Sequence, residues 1–235
     1  MGSVNTKERL ENAERKLVEW GIAFQKTHAL KQYNWAFATD NDNTIEVKVE
    51  IKDVVIEVPS SSSAQHIHTL RYFHDKTSST KTPLICIHGY AQSGSQYYAT
   101  APLLSSSYEG EVYAIDKIGC NLSTRDKWKG NFGENANLEQ SEAYFVDSLE
   151  GWRKAKNIDK MTLVAHSMGG YVSCRYAEKF PQHIDKLVLL SPVGIPEKVI
   201  CIRYHLVVYL IFDTPCRSHV RLNYGKNREY RFLIS

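Results

Sequence analysis

The stretch LVAHSMGGYVSCRYAEKF, residues 163–180, constrains the fold of this chain more than any other. It opens as a short apolar run, the pattern of a strand buried on both faces. A turn built on Ser167, Gly169 and Gly170 follows, and then an amphipathic helix. A strand that passes straight into a helix needs a parallel strand beside it, reached by a crossover. KLVLLSPVG, residues 186–194, supplies that next strand.

The rest of the chain extends the pattern. Residues 45–58, IEVKVEIKDVVIEV, alternate apolar and polar, as a half-buried strand does. After the serine run at 60–63, HIHTLRYF alternates again, which predicts a hairpin. LICIHGY at 84–90 and VYAID at 112–116 are short buried strands, with a helix expected across SQYYATAPLLSSS between them. Residues 138–156 predict a helix with Ala143, Val146, Leu149, Trp152 and Arg153 on or near one face. Two antiparallel strands followed by alternating strands and helices imply an α/β fold. The sheet becomes mostly parallel after an N-terminal antiparallel hairpin, with helices on both faces.

Residues 6–26 predict a further helix. Leu10, Ala13, Leu17, Trp20 and Phe24 form one apolar stripe, expected to pack on the domain. The alternative is a helix lying on a lipid surface, although its polar face carries both signs of charge. The opening MGSVNT fits the M-G-x-x-x-[ST] pattern of N-myristoylation, and Asn5 can equally cap the helix.

Bulk properties exclude several classes. A net charge of +3 gives no electrostatic footprint for nucleic acid, and no nucleic-acid partner is expected. The five cysteines form no C-x-x-C pair, so neither a metal site nor a disulfide framework is expected. Reduced thiols point to a cytoplasmic protein. No run of 18 apolar residues occurs. No cofactor is expected.

The chemistry centres on Ser167. A nucleophile at a strand-to-helix switch sits in a strained turn, so the residues two before and two after it must be small. The usual pattern is G-x-S-x-G; here it reads Ala165-His166-Ser167-Met168-Gly169, and an alanine methyl is a small addition. The backbone N–H of Met168, at the start of the helix, is one candidate oxyanion donor. CIHGY ends a buried strand upstream, and the loop after it supplies the second: Tyr90, with Gly89 permitting close approach. His88 precedes the serine and is expected to shape that loop. His166 and Gly169 support the turn.

These residues resemble the α/β-hydrolase fold. AIDKIGCNLSTR resembles the D-x-x-G-x-G-x-S-x-R loop after its fourth strand, with Asp116, Gly119, Ser123 and Arg125 matching. Asn121 stands where the second glycine would be, which is tolerable if that site is left-handed. The segment from YFVDSLEGWRKAKNIDKM through SPVGIPE resembles one branch of lipid enzymes, with VDSLEGWRKA its most diagnostic part. That branch includes N-acyl-phosphatidylethanolamine lipase, the lipid-droplet lipase coactivator, and fungal cardiolipin deacylases and lysophosphatidic acid acyltransferase relatives. The resemblance runs from about residue 10 to 198. It implies acyl transfer through a serine ester, on a lipid substrate or at a membrane or lipid-droplet surface. It also implies a mitochondrial location as the alternative to a cytoplasmic, peripheral one. Some members carry Asn at the nucleophile position and act as regulators; this chain keeps Ser167.

The pattern breaks after SPVGIPE. The resemblance implies an acid and a later histidine completing a triad with Ser167. Asp185 is expected on the far side of the sheet. Asp213 and His219 are only six positions apart, and the pairing of Glu197 with His205 is the other option. The H-x-x-x-x-D motif of the acyltransferase relatives is absent: no histidine has Asp five positions on. Residues 201–235 carry six Arg or Lys against two acids, a shift from the balanced body. The expected organisation is a helical extension over 1–44, an α/β-hydrolase domain over 45–198, and an atypical tail over 199–235. C-terminal strands are expected to be missing, and activity to be low.

Overall fold

The computed structural model describes residues 5–26, 45–59, 63–125, 137–194 and 207–211. The elements are α1 (Thr6–Lys26), β1 (Lys48–Ile56), β2 (Gln65–Phe73), β3 (Leu84–Ile87), α2 (Thr100–Ser107), β4 (Val112–Ile115), α3 (Leu138–Ala155), β5 (Met161–His166), α4 (Met168–Lys179), β6 (Ile184–Leu190) and β7 (Val207–Ile211). Single 3₁₀ turns lie at Gly94–Tyr97 and Pro181–His183.

One seven-stranded sheet runs in the order β1-β2-β4-β3-β5-β6-β7. β1 and β2 form the expected antiparallel hairpin, with Ile51 opposite Leu70. β2 joins β4 antiparallel, and every pairing from β4 through β3, β5 and β6 to β7 is parallel. The order is not sequential because each parallel neighbour is reached by a crossover over one face.

The period of two along the strands sorts the core onto both faces. Ile85 and Ile87 of β3, Tyr113 and Ile115 of β4, and Leu163 and Ala165 of β5 point to the side covered by α3 and α4. Cys86, Val112 and Ala114 point to the other side, with Tyr72, Tyr97 and Val18 of α1. Trp152 anchors the first layer. Its ring meets Tyr113 edge-on at 5.3 Å, and its indole N–H donates to Thr69 Oγ1 at 3.0 Å. Val146, Leu149, Trp152 and Arg153 are buried as the α3 periodicity predicts.

Two expectations are revised. The stripe on α1 does not face the domain. Leu10, Ala13, Leu17 and Trp20 are exposed, Phe24 is half-buried and stacks on Trp20 at 5.6 Å, and the buried positions are Glu14, Val18 and Gly21. Glu14 is drawn inward by His68 of β2, its Oε2 lying 2.6 Å from Nε2. Gly21 lets the helix backbone close on the Tyr98 carbonyl, which a side chain there would block. With that face inside, the stripe turns outward, and Trp20 only brushes Tyr98 at 5.4 Å. The sheet also runs past residue 198. VVYLI forms β7, parallel to β6 with Val188 opposite Tyr209. Its five residues are a compact β-branched and aromatic run set between basic segments that hide the period.

Candidate active site

Ser167 sits where β5 ends and α4 begins, with φ 50° and ψ −119°. That is a sparsely populated backbone state for a residue with a Cβ, and it persists only where the surroundings over-determine it. They do so here. The Ser167 N–H donates to Leu190 O of β6 at 3.0 Å, and its carbonyl accepts from the Gly170 N–H at 2.9 Å. Gly169 lies flat against the end of β3: a Cβ there would come within 2.5 Å of Ile87 O and 2.6 Å of His88 O. The turn is thus pressed between β3 and β6.

The loop after β3 closes over it. A Cβ on Gly89 would lie 3.2 Å from Ser167 Cβ and 3.0 Å from His166 Nδ1, so only a bare backbone approaches the serine this closely. Tyr90 follows, its side chain 80% exposed. Met168 is the first residue of α4. Among the described residues, neither the Tyr90 nor the Met168 amide has an acceptor. Both N–H groups are thus left free for the oxyanion role expected of them.

Among the described residues, His166 has no partner acid. Its Nδ1 lies 3.2 Å from Gln96 Nε2 and 3.3 Å from Gln92 Oε1, and that same Gln92 oxygen accepts the Gly89 N–H at 3.1 Å. The two glutamines therefore tie the loop to the turn. Sequence reasoning missed both, because a glutamine in a loop carries no local signal of a partner some seventy positions on.

His88 is fully buried. Its Nε2 accepts the Lys117 backbone N–H at 3.0 Å, which leaves the ring proton on Nδ1, 2.8 Å from Gly89 O. Burial, reinforced by the Lys117 charge, pushes its pKa down to about 3, so the ring is neutral. Behind it, Asp116 clasps the next loop. Oδ1 accepts from Gly94 N–H at 2.6 Å, and Oδ2 from Asn121 Nδ2 at 2.9 Å and Leu122 N–H at 3.0 Å. Burial raises the Asp116 pKa against these bonds. Ser123 Oγ donates to Asp116 O at 2.8 Å. Asn121 adopts φ 40°, the left-handed state its place in the loop motif demands.

Among the described residues, no histidine or carboxylate is hydrogen-bonded to Ser167 Oγ. Asp185 opens β6, with Oδ2 3.4 Å from Thr162 Oγ1 at the opposite end of the sheet from Ser167. Glu197, His205, Asp213 and His219 lie outside the described residues, as does the MGSV opening. Among the described residues, no group of three His, Cys, Asp or Glu side chains could hold a metal ion, and no helix is long and apolar enough to cross a membrane.

A mostly parallel sheet with an antiparallel start, covered by helices on both faces and carrying a strained serine at a strand-to-helix switch, defines an α/β hydrolase. The alpha/beta hydrolase fold family matches residues 82–204, and the chain belongs to it. It is similar to the 1-acylglycerol-3-phosphate O-acyltransferase ICT1 of Saccharomyces cerevisiae, 33% identical over 54% of this chain and 40% of that protein. It is similar also to Protein ECM18 of the same yeast, 26% identical over 83% of this chain and 51% of that protein. The chain thus spans about half or less of the length of these relatives. Among solved structures, a naproxen esterase of Bacillus subtilis shares the fold with a TM-score of 0.50, at 15% identity, covering 82% of this chain and 52% of that one.

Proposed function

We propose that this chain belongs to a serine-dependent acyl hydrolase or acyltransferase acting on phospholipids, with Ser167 as its nucleophile. The observation that carries the reading is the backbone of Ser167, held at φ 50° against Ile87, His88 and Leu190. Strain of that kind costs about 1–3 kcal/mol and has no structural benefit at an ordinary βα turn. The lipid substrate class is supported by the relative ICT1 and by the resemblance of VDSLEGWRKA.

The chemistry follows from the site. Ser167 Oγ attacks an acyl carbonyl, and the Tyr90 and Met168 N–H groups receive the oxyanion. Collapse expels the lipid alcohol, which takes up a proton, and leaves the acyl group on Oγ. Water then yields the free acid, or a lysophospholipid hydroxyl yields a new ester. The Oγ proton needs a base. Among the described histidines near the serine, His166 is occupied by Gln92 and Gln96, and His88 by Lys117. Without a histidine paired to Ser167, we expect turnover at least ~10⁴-fold slower than with a complete triad. Labelling by a fluorophosphonate probe, mapped to Ser167 and absent in Ser167→Ala, tests the serine chemistry. Comparison of free fatty acid with acylated lysophosphatidic acid as product separates hydrolysis from transfer. Robust turnover that survives Ser167→Ala would overturn the reading.

A second reading, a non-catalytic protein that binds a lipid surface, is favoured by the outward stripe of α1. Leu10, Leu17 and Trp20 are 36%, 41% and 55% exposed on one helix. Such a helix can lie in a membrane interface, and one acyl chain on Gly2 would add only marginal, reversible binding. On either reading we propose a cytoplasmic protein, peripheral on a membrane or lipid droplet, with the mitochondrion as the alternative that the resemblance implies.

A further inference from the structure

Lys117, the residue after the Asp116 clasp, is 6% exposed, and among the described residues its ammonium has no carboxylate within ion-pair distance. Instead Nζ donates to two main-chain carbonyls, His88 O and, at 2.9 Å, Gly89 O, and lies 3.0 Å from His88 Nδ1. Burying an amine among carbonyls, with no ion pair among the described residues to offset desolvation, is unfavourable and calls for a reason.

The second carbonyl supplies one. Gly89 O and the Tyr90 N–H belong to the same peptide unit. That peptide is trans, so the two groups point in opposite directions. Lys117 Nζ and His88 Nδ1 converge on Gly89 O from inside, which turns the Tyr90 N–H away from them. A cation on the oxygen end of a peptide also polarises it, making the N–H end a stronger donor.

We propose that Lys117 is a positioning residue that sets the direction and donor strength of the Tyr90 N–H through the carbonyl of their shared peptide. The assignment rests on Tyr90 serving as an oxyanion donor for Ser167. His88 is the second anchor, which gives its buried ring a purpose beyond filling space.

The effect depends on the charge. Burial lowers the Lys117 pKa to about 8, against the raising influence of Cys120 and Asp116. The titratable groups that face it are His88 from the end of β3, and Asp116 and Cys120 from its own loop. His88 titrates far below this range, and burial pushes the Cys120 thiol up. A step near pH 8 therefore reports Lys117.

The test is the ¹H–¹⁵N resonance of the Tyr90 amide in the full chain, followed from pH 6.5 to 9.5. In the wild type it moves downfield as pH falls through about 8; in Lys117→Gln and Lys117→Met it stays flat. The Gln variant keeps a donor at the site, so it serves if Met fails to fold. In parallel, the fluorophosphonate reaction forms a Ser167 Oγ–P bond and releases fluoride and the Oγ proton. Its rate falls ~10-fold in Lys117→Gln at pH 7, a fraction of the loss expected for a whole oxyanion donor. An absent Tyr90 step in the wild type, or one that survives both substitutions, overturns the assignment whether or not Ser167 is labelled. Failure of the wild type to label, with the Tyr90 step intact, removes Ser167 as an activated nucleophile in this chain and leaves Lys117 as the anchor of this peptide.

Discussion

Glu14 of α1 and His68 of β2 meet inside the protein, Oε2 to Nε2 at 2.6 Å, while Asp53 of β1 binds the other ring nitrogen at 2.7 Å. Burial alone would lower the His68 pKa, but the Glu14 and Asp53 bonds outweigh it and raise the value to about 9. A raised folded-state pKa stabilises fully below the unfolded value of about 6.5, and the gain is lost as pH rises through about 9. Urea unfolding should therefore show stability falling between pH 6.5 and 9.5, by up to about 3 kcal/mol. Glu14→Gln should flatten that slope; an unchanged slope would remove His68 as its source.

Gly169→Ala should be costly. Its methyl would meet Ile87 O and His88 O, which are backbone atoms that cannot rotate aside. Overpacking of this kind costs about 1–3 kcal/mol. A thermal melt lowered by several degrees is the expected outcome, with Ser167 labelling lost as β3 is pushed from the turn.

Ser167→Gly should stabilise. Glycine has no Cβ to strain at φ 50°, so the substitution should release about 1 kcal/mol. Its urea midpoint should rise above that of the wild type, whereas Ser167→Ala, with the Cβ retained, should show no such gain.

The stripe on α1 predicts lipid binding that can be abolished without unfolding. Replacing Leu17 and Trp20 together by Glu removes two exposed side chains worth about 3 kcal/mol in an apolar phase, so vesicle affinity should drop ~100-fold. Cosedimentation with phosphatidylcholine–phosphatidylserine vesicles measures it, with far-UV dichroism as the control for folding. Equal binding by the double variant would discard the lipid-surface role of this helix.

Much of this fold is legible in periodicity. The alternation in β1 and β2, the buried runs of β3, β4 and β5, and the apolar face of α3 each reflect one element's own environment. The serine turn is legible for the same reason: small residues cluster where the backbone has no room. What escapes is whatever depends on a distant partner. The stripe of α1 predicts that the helix has an apolar face, but the burial of Glu14 is decided by His68. Lys117 reads as an ordinary loop lysine until His88 and Gly89 are beside it. VVYLI reads as part of a basic tail until β6 offers an open edge.

The turn at Ser167 also says something about when the site comes into being. Its conformation is enforced by Ile87 and His88 at the end of β3 and by Leu190 at the end of β6, none of them near in sequence. Parallel pairing of distant strands is slow to form, because each closure of a long loop precedes its reward. A nascent chain can therefore fold its β1–β2 hairpin and its helices while residues 163–170 remain relaxed. The serine acquires its strained geometry only when β3, β5 and β6 have docked side by side.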